Sequence, residues 1–338
     1  MPSILLTNLR SINNKFDEFK IQVYSLNPDV IICSETWLSS STPTEACDLA
    51  GYTCHRTDRM DDSGYGGVAI WTKTYLKATK LHVQSFERFD ICAVDVPSNK
   101  LIVVGLYLPP GINSPLFKQF CDSFVDIMDG CLADMSGHRL LVAGDFNQYD
   151  RSFLTSNFSL RNIVTGPTRL NANLDLIFVD KSLSQFYVPS KVEIGPPIGS
   201  SDHNTVFAWS SNKSRKREFT RHTVYDLRES HLMAFEREFL SRDFSRFYSN
   251  CDIEEKCSIF YQYIYEALAV IPRSEVILTD SDAPWMSPLV KLLIEKRWNA
   301  FRSRNWGMFN VLKAKVRDEV TKAKKRFFEK KSKSVKGL

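Results

Sequence analysis

The sequence has no Cys-x-x-Cys pair and no Cys/His spacing of the metal-ligand kind; its eight cysteines stand singly. That excludes a zinc ribbon and a disulfide-stapled secreted scaffold, and fits reduced thiols packed in or near a core. No apolar run approaches ~18 residues, so a membrane-spanning helix is not expected. No basic segment followed by a short apolar one opens the chain, so neither is a secretory leader. No internal repeat occurs, which excludes a solenoid. A soluble, intracellular chain is the expectation.

At 338 residues with 43% hydrophobic positions, the chain can bury a large core and carry an appendage. Its charge is uneven. Of 44 Lys and Arg and 39 Asp and Glu, 16 and 4 lie from Trp285 onward, leaving 28 and 35 for residues 1–284. An acidic body suits a metal site built from carboxylates, and a strongly basic tail is the usual footprint of nucleic-acid contact.

Up to Trp209, short β-branched runs alternate with turn signals. Ile4–Leu6, Val30–Ile32, Gly67–Trp71, Ile91–Val94, Leu101–Val104, Leu140–Val142, Leu174–Val179 and Val206–Trp209 read as strands. Helical spacing covers residues 14–26 and 114–132. Eight strands with two helices predict an α+β body of two packed mixed sheets covered by helices, rather than a doubly wound parallel sheet. This body spans 1–210. Residues 211–227, with Lys213, Arg215, Lys216 and Arg217, read as a linker. Residues 228–338 read as helical and basic, with helices near 229–239 and 254–270 and two more from Ser287 onward.

Polar residues end several of these runs. Asn8 follows the first strand and, alone, reads as a turn residue. Glu35 ends the second, beside Trp37. Asp145 and Asn147 follow Leu140–Gly144; their spacing puts both on one face of an extended chain, or else forms an Asx-turn. Asp175 interrupts an apolar strand, which is costly unless the carboxylate has a partner such as a histidine. Ser201-Asp202-His203 follows a glycine turn and could equally be a cap. Carboxylates gathered at strand ends are hard oxygen ligands for Mg²⁺, and one histidine can meet charge developing on phosphorus. The constellation points to metal-dependent phosphodiester cleavage.

Taken in order, Thr7–Ser11, Ser34–Leu38, Gly66–Ile70, Gly105–Pro110, Gly144–Asn147, Leu174–Ile177 and Ser201–Asn204 resemble the endonuclease/exonuclease/phosphatase superfamily. More narrowly, they resemble the apurinic-type endonuclease domain of non-LTR (LINE-like) retrotransposons. The resemblance implies a four-layered α/β sandwich with its site at one rim. It makes Glu35 the principal Mg²⁺ ligand (Mn²⁺ as a possible substitute), with Asn8 and Asp202 near the same ion. It makes Asp145 the residue that orients or deprotonates the attacking water. Asn147 becomes a donor to the scissile phosphate, Tyr107 the phenol that contacts that phosphate, His203 the group that meets the phosphorane charge, and Asp175 the carboxylate that holds His203. Thr168 and Arg169 are candidates for contact with the DNA backbone, or members of an ordinary turn.

The function expected is a Mg²⁺-dependent DNA endonuclease, working in the nucleus with some cytoplasmic presence and leaving 5′-phosphate and 3′-hydroxyl ends. The alternatives are a phosphatase or phosphodiesterase of the same fold, and a catalytically dead nucleic-acid-binding remnant. Residues 284–306 resemble the connector between endonuclease and reverse transcriptase in such elements. Leu312, Val316 and Val320 mark one stripe of an amphipathic basic helix, suited to DNA, RNA or a partner helix. No polymerase Asp-Asp doublet follows, since Asp61-Asp62 lies in an upstream polar loop. The reverse transcriptase domain of the parent element is thus absent from this sequence, which reads as a truncated frame, a fragment or a host-captured copy.

Overall fold

The computed structural model describes residues 1–335, apart from 14, 60–63, 84–85, 87, 211–218, 250–251 and 280–281. Asn14, the Asp61-Asp62 doublet and the basic linker residues Lys213, Arg215, Lys216 and Arg217 lie outside the described residues. Two compact units form: Met1–Arg215 with Phe301–Asn305, and Lys216–Ala300 with Trp306–Leu338. Among the described residues no helix is long and apolar enough to cross a membrane.

In the first unit the chain runs through β1 (Ile4–Asn8), α1 (Phe16–Leu26), β2 (Val30–Ser34), β3 (Tyr52–Thr57), β4 (Val68–Lys73), β5 (Thr79–Lys80) and β6 (Asp90–Val96). It continues with β7 (Leu101–Tyr107), α2 (Ser114–Asp134), β8 (Arg139–Asp145), α3 (Ser152–Asn157), β9 (Leu160–Asn162), β10 (Asp175–Asp180), β11 (Val192–Gly195) and β12 (Thr205–Ala208). Two six-stranded mixed sheets result, ordered β11-β12-β1-β2-β4-β3 and β5-β6-β7-β8-β10-β9.

Every residue of β1, β2, β7 and β12 is buried, because one face meets the other sheet and the other face meets a helix or loop. That is why they read as unbroken apolar runs. The sheets pack closely: a Cβ added at Gly105 on β7 would lie 2.8 Å from Val68 and 3.1 Å from Ile32 of the opposite sheet. α1 covers the first sheet, with Phe19 5.2 Å from the Trp71 ring. α2 covers the second through Phe120, Phe124 and Met128, and the Phe120 ring lies 4.3 Å from that of Phe89. Pro115 in its first turn and Asn113, whose side chain accepts the Leu116 N–H, fix where α2 starts. Helix, sheet, sheet, helix make four layers. The seven described cysteines are free, and six of them are buried or half-buried.

In the second unit, β13 (Phe219–Tyr225) pairs antiparallel with β14 (Arg273–Thr279) over seven register pairs. This corrects two expectations: residues 219–225 are strand rather than linker, and 228–338 is not wholly helical. Along β13 exposed Arg221 and Thr223 alternate with half-buried His222 and Val224, so β13 does not offer the apolar run that marks a buried strand. The helices are α4 (Glu229–Leu240), α5 (Ser245–Ser249), α6 (Ile253–Leu268), α7 (Pro288–Arg302) and α8 (Trp306–Val335). Phe309, Leu312, Val316 and Val320 form the buried stripe of α8.

Candidate active site

Strand register brings six polar residues to one rim of the sandwich. β1 and β2 run parallel with Asn8 opposite Ser34, so Glu35 emerges beside Asn8. β7 and β8 run parallel with Tyr107 opposite Asp145, and β10 runs antiparallel to β8 with Asp175 opposite Asp145. β12 is antiparallel to β1, which returns its leading residue His203 to the same edge. Gly144 is required here: a Cβ would fall 1.9 Å from the Leu106 carbonyl oxygen.

Asp145, Asp175 and His203 are buried, and their ligand-type atoms lie within 4.8 Å of one another. His203 Nδ1 is 2.8 Å from Asp175 Oδ2, so Nδ1–H donates to the carboxylate and Nε2 faces Asp145 Oδ2 at 4.0 Å. The His203 amide donates to Ser201 Oγ, whose hydroxyl donates to the Asn8 carbonyl, tying the histidine turn to β1. Asn8 Nδ2 donates to Glu35 Oε1 at 2.8 Å and to Asp145 Oδ2 at 2.9 Å. The Trp37 indole donates to Glu35 Oε2.

Burial, with the Asp175 charge adding to it, pushes the Asp145 carboxyl up to about 7; His203 and the Asn147 and Asn8 donors pull the other way. Burial opposes charge on His203, yet the hydrogen bond and charge of Asp175, with Asp145 and Asp202, raise its pKa above the ordinary imidazole value. Burial, followed by the Glu35 and Asp145 charges, holds the Tyr107 phenol neutral, well above its usual range.

Several expected residues sit differently from their sequence reading. Asn8 lies against Glu35, beside the expected ion position, with its amide nitrogen toward the carboxylates while its Oδ1 accepts the Arg10 N–H. Two adjacent carboxylates need a donor between them, and ligation through oxygen requires the amide to rotate. Asp145 and Asn147 do not share an extended face: β8 stops at Asp145, Asn147 adopts φ +46°, and its N–H donates to Asp145 Oδ1, forming the Asx-turn. Asn147 Nδ2 donates to the Leu108 carbonyl.

Asp202 places one oxygen 3.2 Å from Arg10 and the other 2.7 Å from Arg169. Burial pushes its carboxyl up, but these two arginines more than offset it and its pKa is lowered. Thr168 does not reach solvent, so the expected DNA contact is corrected: its hydroxyl accepts the Leu174 and Asp175 N–H groups and seats the start of β10. Arg169 is exposed.

Sequence reasoning missed Arg59 and Asp90, a buried pair beside Tyr107. The only signal was an acid opening the apolar run of β6. It also missed that six of the eleven described non-glycine residues with positive φ (Arg10, Ser11, Glu35, Trp37, Asn147 and Leu170) lie in these motifs and loops. Such conformations cost about 1–3 kcal/mol each and persist where the surroundings force them.

Residues 5–203 match the family model described as Endonuclease/Exonuclease/phosphatase family. The chain belongs to this family. Its enzymes are hydrolytic nucleases and phosphatases that depend on a divalent metal. No curated protein matches the chain. Among solved structures it is similar to the 3′ phosphatase NExo from Neisseria bound to product DNA hairpin, at 19% identity over 62% of this chain and 100% of that one, TM-score 0.47. It is similar to the AP endonuclease of Leishmania major, at 15% identity over 62% of this chain and 88% of that one, TM-score 0.49. It is also similar to the endonuclease domain of TRAS1, a telomere-specific non-LTR retrotransposon, at 16% identity over 62% and 98%, TM-score 0.47.

The rim fits the divalent ion that the family uses. Its donors are carboxylate and amide oxygens with one imidazole, and buried Asp175 Oδ1 has no hydrogen-bond partner. The facing carboxylates Asp145 and Asp175 repel, and a nearby cation relieves that repulsion.

Proposed function

We propose that this chain is a Mg²⁺-dependent DNA endonuclease of non-LTR retrotransposon origin that nicks one strand and leaves 5′-phosphate and 3′-hydroxyl ends. The observation that carries the reading is the Asp145, His203 and Asp175 cluster set against Asn8 and Glu35 on one rim. The retroelement-like motifs and the basic region beyond Trp285 support DNA as the substrate.

Glu35, Asp202 and a rotated Asn8 would hold the ion, which when bound supplies positive charge to the phosphate oxygens and to the departing 3′-oxygen. Asp145, buried and with a pKa near neutrality, accepts the proton of the attacking water. Asp175 holds Nδ1–H of His203, so that protonated Nε2 meets the negative charge growing on phosphorus. Tyr107, kept neutral, donates to the same phosphate, and Asn147 orients it from the Asx-turn. Arg169 lies where it can contact the backbone beside Asp202. The nuclease body ends near residue 210. The basic helical region that follows acts as a connector that grips nucleic acid, DNA or RNA, next to a reverse transcriptase domain in the parent element. Nuclear action follows from that substrate.

The test is a labelled duplex oligonucleotide cut in Mg²⁺. Nicked 3′ ends that a polymerase extends without phosphatase treatment are expected. Blocked 3′ ends, or release of phosphate from small esters without DNA cleavage, would overturn the reading.

A further inference from the structure

A second buried ion pair stands behind the catalytic rim. Arg59 Nη2 lies 2.6 Å from Asp90 Oδ2 and its Nε 3.3 Å from Oδ1, with side chains only 10% and 4% exposed. The same Asp90 Oδ2 accepts the Gly67 N–H at 2.9 Å. Asp90 opens β6 directly opposite Tyr107 of β7, and the Arg59 guanidinium carbon lies 5.6 Å from the Tyr107 ring centroid.

Gly67 and Gly66 belong to the loop before β4, in the opposite sheet. Their carbonyls accept the N–H groups of Thr36 and Trp37, bracing the turn in which Glu35 and Trp37 adopt φ of +50° and +53°. Besides burial, the Glu35 charge in turn acts on the Tyr107 phenol and helps to hold it neutral. Asp90 therefore reaches two residues of the site: Tyr107 through Arg59, and the Glu35 turn through Gly67. The glycines make this possible. A Cβ on Gly66 would lie 2.5 Å from Arg59 Nε, and one on Gly67 2.7 Å from Thr36 Oγ1.

We infer that Arg59 and Asp90 are the positioning residues of this site, fixing the Tyr107 phenol and the Glu35 turn across the two sheets without touching substrate. The inference rests on the reading of Tyr107 as a phosphate donor. A buried ion pair gives little net stability over packed apolar residues, so its distinctive contribution is geometric. A planar guanidinium can chelate a carboxylate and lie over a ring at once, which an ammonium cannot.

Arg59→Lys keeps the charge that Asp90 needs and removes the planar fork; Asp90→Asn keeps an acceptor for Gly67 and removes the charge. Each is expected to lower kcat for nicking about tenfold with KM nearly unchanged. In a Tyr107→Phe background Arg59→Lys should cost no more than about twofold, because it acts through the phenol. With 3-fluorotyrosine incorporated, the ¹⁹F resonance assigned by Tyr107→Phe should shift or broaden in Arg59→Lys. Unchanged kcat in both variants, a full additive loss in the Tyr107→Phe background, or an unmoved resonance would overturn the inference. If the wild type does not nick DNA while that resonance moves, the nuclease reading fails and the positioning geometry stands.

Discussion

Asp145 and Asp175 face each other as a register pair across β8 and β10, both shielded from water, with His203 bonded to one and 4.0 Å from the other. Two buried carboxylates in contact range destabilise the fold that holds them, and that conflict is measurable.

The Asp145 carboxyl, ordinarily near 3.8, is raised to about 7 in the folded chain. The folded state therefore holds a proton that the unfolded state has lost between about pH 4 and pH 7. Its stabilising contribution is complete below about pH 4 and disappears as pH rises through about 7. His203, also raised, acts with the same sign. In EDTA, wild type should lose on the order of 1–3 kcal/mol between pH 5 and pH 8, and Asp145→Asn should lose less and exceed wild type at pH 8. Urea denaturation at the two pH values checks this; parallel behaviour of both proteins would contradict it.

Glu35→Ala, Asp145→Ala and His203→Ala should each lower nicking by about 10²-fold or more, because each removes a group acting mainly in the transition state. Circular dichroism should show an intact fold. A folded Asp145→Ala protein that nicks at the wild-type rate would remove that residue from the mechanism.

Asp175→Asn keeps the shape of the side chain but weakens its hold on His203 Nδ1–H. Activity should fall while the metal concentration giving half-maximal rate stays put. A shift in metal affinity with no change in limiting rate would instead make Asp175 a ligand.

Thr168→Val removes the acceptor of two buried N–H groups at the start of β10. Leaving them unpaired should cost about 1–3 kcal/mol of stability. Thr168→Ser, which restores the hydroxyl, should recover most of it in the same denaturation measurement.

α8 carries Arg326, Lys330, Lys331 and Lys333 as exposed residues, so all four can be changed to Gln without touching its buried stripe of Phe309, Leu312, Val316 and Val320. If they meet phosphates, the slope of log affinity for duplex DNA against log salt should shrink by about 0.9 per lost contact. Equal slopes for variant and wild type would assign the helix to a protein partner.

The strands buried on both faces were legible because their sequences are unbroken apolar runs. β3 escaped because only Tyr52 and His55 are buried, three residues apart among exposed or half-buried ones, so neither an apolar run nor a clean alternation marks it, and β5 and β9 are edge strands of two and three residues. At the site, residue types at strand ends were legible, and so was the need of Asp175 for a partner. Asn8 as a bridging donor, the arginines on Asp202 and the Arg59–Asp90 pair were not. Each depends on how two sheets register against one another, which no local spacing encodes. Thr168 shows the same limit: in sequence a hydroxyl in a loop, in the fold the buried anchor of a strand.

Metal-dependent nicking is measured most directly by conversion of supercoiled plasmid to the open circle by the full chain. Nicking is expected in Mg²⁺, with none in EDTA, recovery when Mg²⁺ is restored, and loss in Glu35→Ala. Nicking that persists in EDTA, or a folded wild-type chain inert in Mg²⁺, would contradict metal-dependent nicking.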